Sequence, residues 1–220
     1  GEDVLDGGAG NDLLLGGREK DTVAGGAGAD VIAFNRGDGH DTVLSGGGAN
    51  DTLSLGGGIR YTDLTLRRDR GSLVLELGHG DDITFDGWYD APANRTVVTL
   101  QVIAEAMKDY DAASSDPLLN RKVQQFDFQG LGERFDQVCA ADPKLNRWSL
   151  SDALLDFHLS ASDTAALGGE LAYQYGKSGT LAGIPLVAAQ GVLAQPEFGA
   201  QAQALQPLQG LTEGLVKLAA

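Results

Sequence analysis

The chain has 220 residues and a formal net charge of −15, long enough for one large domain or two small ones. Negative charge this clustered opposes nucleic acid and anionic membrane as partners and favours divalent cations. A single cysteine, Cys139, excludes an intramolecular disulfide. No apolar run approaches the roughly 18 residues of a transmembrane segment, and no N-terminal signal peptide is visible. The first 90 residues hold 21 of the 32 glycines, so the composition changes character near residue 90.

From Gly7 to Leu55 a nine-residue pattern recurs: Gly-Gly-x-Gly-x-Asp-x-apolar-x. Gly7–Leu15 and Gly25–Ala33 are clean copies, and Gly16–Ala24 is a worn one. Gly46–Ser54 has Ala49 for its third glycine, and Phe34–Val43 is a longer variant with a Gly-Asp-Gly-x-Asp core. Each copy reads as a six-residue glycine-rich turn and a three-residue strand, the signature of a parallel β-roll that binds Ca²⁺ in its turns. The apolar residue of each triplet (Leu5, Leu14, Val23, Ile32, Val43, Leu53) is expected to point inward and its neighbours outward. Two copies make one circuit, so residues 18 apart stack on strands about 4.8 Å apart. Asp12 with Asp30, and Asp3 with Asp21, then repel unless a cation lies between them. Ca²⁺ takes six to eight oxygens, about what carboxylates and converging carbonyls supply, whereas Zn²⁺ prefers nitrogen and sulfur.

On these residues the segment 1–58 resembles the RTX proteins that Gram-negative bacteria export by type I secretion. The resemblance implies a secreted, extracellular protein, toxins among them. It also implies ions stacked on both sides of the roll, each held by turn aspartates and backbone carbonyls. Carried over residue by residue, the candidate calcium ligands are Asp3, Gly7, Ala9, Asp12, Asp21, Gly25, Ala27, Asp30, Gly37, Gly39, Asp41 and Asp51. Glu19 replaces a glycine where positive φ is needed, and Lys20 adds a competing cation, so the Asp21 turn is expected to be weaker than the site between Asp12 and Asp30. Arg36-Gly37-Asp38 also spells an integrin-binding tripeptide, inside the repeat register. Gly1–Asp6 is the back two-thirds of a nonapeptide, which predicts a longer protein upstream.

Residues 59–90 read as a strand-rich module capping the roll. It has runs at Leu64–Arg68, Leu73–Leu77 and Ile83–Phe85, and it closes at Gly87-Trp88-Tyr89. Residues 91–95 form a linker. Beyond it the apolar spacing becomes helical, with stripes at Leu100, Ile103, Ala104 and Met107, at Phe128, Leu131, Phe135 and Val138, and at Leu167, Leu171 and Tyr175. Ser151 reads as the N-cap of another helix through Leu159, and a further helix follows Pro185 to about Gln195. The fold class is thus mixed, β then α. A Ca²⁺-binding parallel β-roll spans 1–58, a short antiparallel β cap 59–90, and a mainly helical region 97–220. The apolar tail Leu205–Ala220 resembles an RTX export signal, which implies a type I transporter as partner during export. The tail is expected to be dispensable for calcium binding, because it lies more than 100 residues from the repeats.

Catalytic patterns are missing. There is no His-x-x-x-His pair, no Gly-x-Ser-x-Gly elbow and no Gly-Lys-Ser/Thr phosphate loop. Asp156, His158 and Ser160 would face different sides of a helix, and Cys139 reads as a structural thiol beside an apolar stripe. Asp116-Pro117 and Asp142-Pro143 read as a turn and a helix stop. The expectation is a calcium-binding module without catalytic activity in this segment. The alternative is an adhesin or ligand-binding module, and the external target is unknown.

Overall fold

A computed structural model of the chain describes residues 1–206. The repeats give six short strands: β1 (Val4–Asp6), β2 (Leu13–Leu15), β3 (Thr22–Ala24), β4 (Val31–Phe34), β5 (His40–Val43) and β6 (Asp51–Leu55). β1, β3 and β5 pair in parallel in one sheet, and β2, β4 and β6 in a second. The chain therefore crosses from one sheet to the other at every glycine-rich turn. In register, Leu5 lies beside Val23 and Val23 beside Val43; Leu14 lies beside Ile32 and Ile32 beside Leu53. These are the six residues that the nine-residue period points inward, and all belong to the main core or pack on it.

Both rows run on past the repeats. β7 (Thr65–Asp69), β8 (Ser72–Glu76) and β9 (Asp82–Phe85) form an antiparallel meander, as expected of a cap. β9 also pairs in parallel with β5 and sets Phe85 beside Val43. β10 (Val97–Ile103) pairs in parallel with β6 and sets Leu100 beside Leu53. β11 (Val123–Asp127) follows in antiparallel, then α1 (Phe128–Ala141), β12 (Arg147–Ser149) against β7, and β13 (His158–Ser162) against β11. The first sheet runs β1-β3-β5-β9-β8-β7-β12 and the second β13-β11-β10-β6-β4-β2. The chain then forms β14 (Ala165–Ala166), α2 (Gly169–Ser178), α3 (Leu186–Leu193) and β15 (Gln203–Ala204), which pairs with β14.

The mainly helical reading of 97–220 needs correction: strands β10 to β15 all fall within it beside α1, α2 and α3, and two of the expected helices do not form. Leu100 and Ile103 lie on strand β10, and Ala104 follows in a 3-10 turn, Ala104–Ala106. The segment Val97–Ile103 is rich in β-branched residues, and β6 offers it an open edge, so tertiary pairing outweighs the apparent helical spacing. Ser151 starts no α-helix: a 3-10 turn, Leu154–Phe157, leads straight into β13. The other stripes are helical. α1 carries Phe128, Leu131 and Phe135 into the core and is N-capped by Asp127, whose side chain accepts from the Gly130 amide at 2.8 Å. α2 carries Leu171 and Tyr175, and α3 follows Pro185 as expected. Of the tail Leu205–Ala220, residues 207–220 lie outside the described residues.

Trp88 closes the core under the cap. It is buried among Phe85 and Phe128, with ring centroids 5.8 and 5.7 Å away, and a Cβ on Gly132 of α1 would come within 3.1 Å of its ring. On the second sheet's other face, Val31 and Leu13 pack with Leu167 and Ala172 around α2. Strands β4 and β6 are consequently buried along their whole length.

Candidate metal centres

The turns fall on two edges of the paired sheets. Those ending at Asp12, Asp30 and Asp51 lead from the first sheet to the second; those ending at Asp21 and Asp41 lead back. Along each edge the aspartates form a ladder. The Asp12 amide donates to Asp30 Oδ1 at 2.9 Å, and the Asp30 amide to Asp51 Oδ1 at 3.1 Å. On the other edge the Asp3 amide donates to Asp21 Oδ1 at 2.8 Å, and the Asp21 amide to Asp41 Oδ1 at 2.9 Å. The longer turns before Asp41 and Asp51 do not break the ladder.

One carboxylate oxygen of Asp21, Asp30, Asp41 and Asp51 is thus used by the backbone, while Asp12, at the start of its edge, accepts no ladder amide. The Oδ2 atoms of Asp12, Asp21 and Asp30 are buried and have no hydrogen-bond partner. A buried carboxylate oxygen without a partner costs several kcal/mol, on the order of 1–3 or more, so it is retained only where something else satisfies it. Each such oxygen lies over the first glycine of its own turn: a Cβ on Gly7 would stand 3.0 Å from Asp12 Oδ2, and one on Gly25 2.5 Å from Asp30 Oδ2. Backbone carbonyls crowd the same space, since a Cβ on Gly7 would also run into the Gly25 carbonyl oxygen. Ala9 and Ala27 stack in a parallel bridge, the Gly8 carbonyl accepting from the Ala27 amide at 2.7 Å. A side chain at Gly7 or Gly25 would therefore collide with the carboxylate of its own turn, and at Gly7 with a carbonyl oxygen as well. Among the described residues no three His, Cys, Asp or Glu side chains converge on one point. Any ion held here is bound by paired carboxylates completed by carbonyls, which suits a hard cation such as Ca²⁺ and not Zn²⁺. The three histidines are engaged elsewhere: His40 with Asp82, His79 with Arg36 and His158 with Gln124.

Burial without a cation disturbs the aspartates. Burial first, then the charges of Asp51 and Asp12, pushes Asp30 up to about 6 from 3.8. Burial, then Asp21, Asp38 and Asp82, pushes Asp41 up to about 7. Burial also raises Asp51. These carboxylates resist ionisation until positive charge is brought to them.

Of the remaining expected positions, Gly37 donates its amide to Asp81 Oδ2 at 2.8 Å, and the Gly39 carbonyl accepts from the Asp82 amide at 3.0 Å. Asp3 is exposed at the start of its edge. Glu19 adopts φ 91°, the left-handed geometry that Gly10, Gly28 and Gly39 take at the same place in their turns. The worn turn keeps its shape at the cost of strain, and Asp21 within it is fully buried. Sequence reasoning passed over Asp38 and Asp81, both buried. Asp38 Oδ2 accepts from the Asn35 amide at 2.7 Å and from the Tyr175 hydroxyl at 3.3 Å. Their signal was the degenerate Gly78-His79-Gly80-Asp81, a worn turn in which Gly78, His79 and Gly80 all have positive φ. The burial of Asp38 also removes the integrin-type tripeptide from recognition by a partner.

Residues 1–32 match the family model of the RTX calcium-binding nonapeptide repeat, in four copies. This stretch is of the RTX type, and Ca²⁺ is the ion its repeats imply. No curated protein matches the chain. No helix among the described residues is long and apolar enough to cross a membrane.

Proposed function

We propose that residues 1–58 are a parallel β-roll that folds on Ca²⁺ outside the cell, after export by a type I transporter that engages a C-terminal signal. The observation that carries this reading is the set of orphaned Oδ2 atoms on Asp12, Asp21 and Asp30, each lying over the first glycine of its turn where a side chain would collide with it. Bound Ca²⁺ supplies the positive charge and the coordination that these oxygens lack.

The chain's own residues do the rest. In a calcium-poor cytoplasm the aspartates repel, and the glycine turns hold the chain open, because ordering glycine costs more backbone entropy than ordering any other residue. Outside, where calcium is plentiful, the Asp amide-to-carboxylate ladder sets the spacing, and the inward rows through Val23 and Ile32 close the core. With the dissociation constants of about 10⁻⁴–10⁻³ M typical of extracellular modules, each loaded site contributes about 0.4–1.4 kcal/mol at about 1 mM Ca²⁺. Several sites together decide a marginal fold. No catalytic role is assigned to this segment; the reading is of a calcium-responsive module.

Circular dichroism of the purified chain in EDTA and then in excess CaCl₂ tests the reading. A β signal that rises on adding CaCl₂, and not on adding MgCl₂, above that of the strands in residues 59–206 supports it, because Mg²⁺ demands tight octahedral geometry. An equal signal in EDTA overturns it. One observation favours a ligand-binding role beside this one: Leu186 and Val187 on α3 stand 72 % and 68 % exposed in a stretch without charge.

A further inference from the structure

The C-terminal segment reaches back across the whole repeat region and touches the turns of both edges. On one edge α2 ends against the turn before β5. The Asn35 side-chain amide donates to the Tyr175 carbonyl at 3.0 Å, and the Tyr175 hydroxyl donates to Asp38 Oδ2 at 3.3 Å. Just beyond, the Gly57 amide donates to the Gly176 carbonyl at 2.7 Å, and the two backbones meet so closely that a Cβ on Gly56 would strike the Gly176 Cα. On the other edge, the chain returning from α3 presses Gly199 onto the turn that ends at Asp30. Phe198 is fully buried. Gly199 has φ 79°, and a Cβ there would run into the Ala29 carbonyl oxygen and stand 3.3 Å from the Asn11 Cβ. The Asn11 side chain in turn accepts from the Ala29 amide at 2.9 Å. The segment is then pinned by β15 on β14 and by the Leu205 amide, which donates to the Thr164 carbonyl at 2.7 Å.

Asn11 and Ala29 each precede a ladder aspartate, Asp12 and Asp30, whose second oxygens lack partners. The backbone that receives Gly199 is therefore the backbone that must take a fixed shape for these two carboxylates to stack. A glycine seated against a carbonyl with no room for one methyl group tolerates only one conformation of the turn.

We propose that residues 195–205 are a calcium-dependent strap: they seat on the Asp12–Asp30 turns only when those turns are loaded, and once seated they tighten that edge more than the other. This rests on the calcium reading of the turns. By linkage the effect is reciprocal, since whatever calcium gains from the strap, the strap gains from calcium. While the turns are empty, the segment leading to the C-terminus is an open chain. Once they fill, it is fastened to the folded module, so a single event orders the repeats and withdraws the chain's C-terminal region from other handling.

Hydrogen–deuterium exchange on the full chain during a calcium titration tests this. Peptides covering the turns at 25–30 and 16–21 report loading, and a peptide covering 196–205 reports the strap. The strap amides are expected to exchange at least about tenfold more slowly in calcium, with the midpoint of the 25–30 turn. Phe198→Ala should raise the calcium midpoint of the 25–30 turn about threefold while moving that of the 16–21 turn less. Trp148→Ala, a half-buried change far from the strap, controls for general destabilisation and should move both turns alike. Strap exchange that ignores calcium while the turns respond overturns the strap and leaves the calcium reading standing, as does an equal shift of both turns in Phe198→Ala. Turns that themselves ignore calcium overturn both.

Discussion

Residues 1–58 and residues 59–206 bury the same kind of strand row by opposite means. In the repeats the strands give the core mostly modest side chains such as Leu14 and Val23, joined by Phe34, and the repeats also bury carboxylates: Asp21, Asp30, Asp41 and Asp51. In the second region the core is filled by Trp88, Phe126, Phe128 and Phe135. Its charges are paired: Arg68 with Asp136 at 2.6 Å, and Arg121 with Asp163 at 2.8 Å. The second region meets its carboxylates with arginine side chains, whereas the Oδ2 atoms of Asp12, Asp21 and Asp30 in the first have no such partner. On the proposed reading the folding of the first is conditional on calcium and that of the second is not, although β9 and β10 pair directly with β5 and β6.

Damage to the unconditional half should give the largest effect. Trp88→Ala leaves a large void between Phe85, Phe128 and α1, and is expected to cost about 3–5 kcal/mol. Denaturant unfolding in saturating CaCl₂ reads it, and the calcium concentration needed for folding should rise although no ligand is lost. An unchanged midpoint would mean that the two halves fold without reference to each other.

Within the conditional half, Asp30 and Asp21 are the middle rungs of their edges: each accepts one ladder amide and donates another. Asp30→Ala and Asp21→Ala should therefore weaken calcium binding more than Asp12→Ala, each disturbing two neighbours. Calorimetric titration of the three variants ranks them. A calcium affinity hurt least by Asp21→Ala would show that the strain at Glu19 leaves that turn unloaded.

The pH dependence sharpens the contrast further. Burial raises Asp30 to about 6 and Asp41 to about 7, against 3.8 for an unperturbed aspartate. The folded, metal-free repeats then hold protons that the unfolded chain has released, so this contribution to stability is complete below about pH 4 and is lost as pH rises through about 6–7. Without calcium the repeats should be more easily unfolded at pH 7.5 than at pH 5. With calcium the order reverses in demand: protons compete for the same oxygens, and the calcium midpoint should be higher at about pH 5.5 than at pH 7.5. Thermal melts with EDTA and with CaCl₂ at the two pH values check both signs. The smallest effect is expected at Leu186→Ser on exposed α3, within about 0.5 kcal/mol by the same melts.

Much of the repeat region was legible because its period is rigid. The repeat pattern marks all six inward positions, and spacing by 18 pairs Asp3 with Asp21 and Asp12 with Asp30, whereas the longer turns set Asp21 and Asp41 20 apart and Asp30 and Asp51 21 apart. The continuation was hidden because β9 and β10 keep the stacking but drop the markers: Phe85 and Leu100 sit where a repeat would place them, without the Gly-Gly-x-Gly-x-Asp that announces one. Leu100 and Ile103 mimic helical spacing only because a 3-10 turn follows the strand. Asp38 and Asp81 went unnoticed since their turns depart from nine residues. Against the expectation that the chain's end is independent of the calcium turns stands Gly199, which packs onto the turn that ends at Asp30. A contact across 170 residues between a glycine and a carbonyl leaves no trace in composition or period.

The most direct test of the account is a count of bound ions. Native mass spectrometry of the chain titrated with CaCl₂ should show several calcium ions per molecule, and the combined variant Asp12→Ala, Asp21→Ala, Asp30→Ala should lose most of them while Trp88 stays protected from quenching. A triple variant that binds as many ions as the parent would contradict the claim that these three orphaned carboxylate oxygens hold the metal.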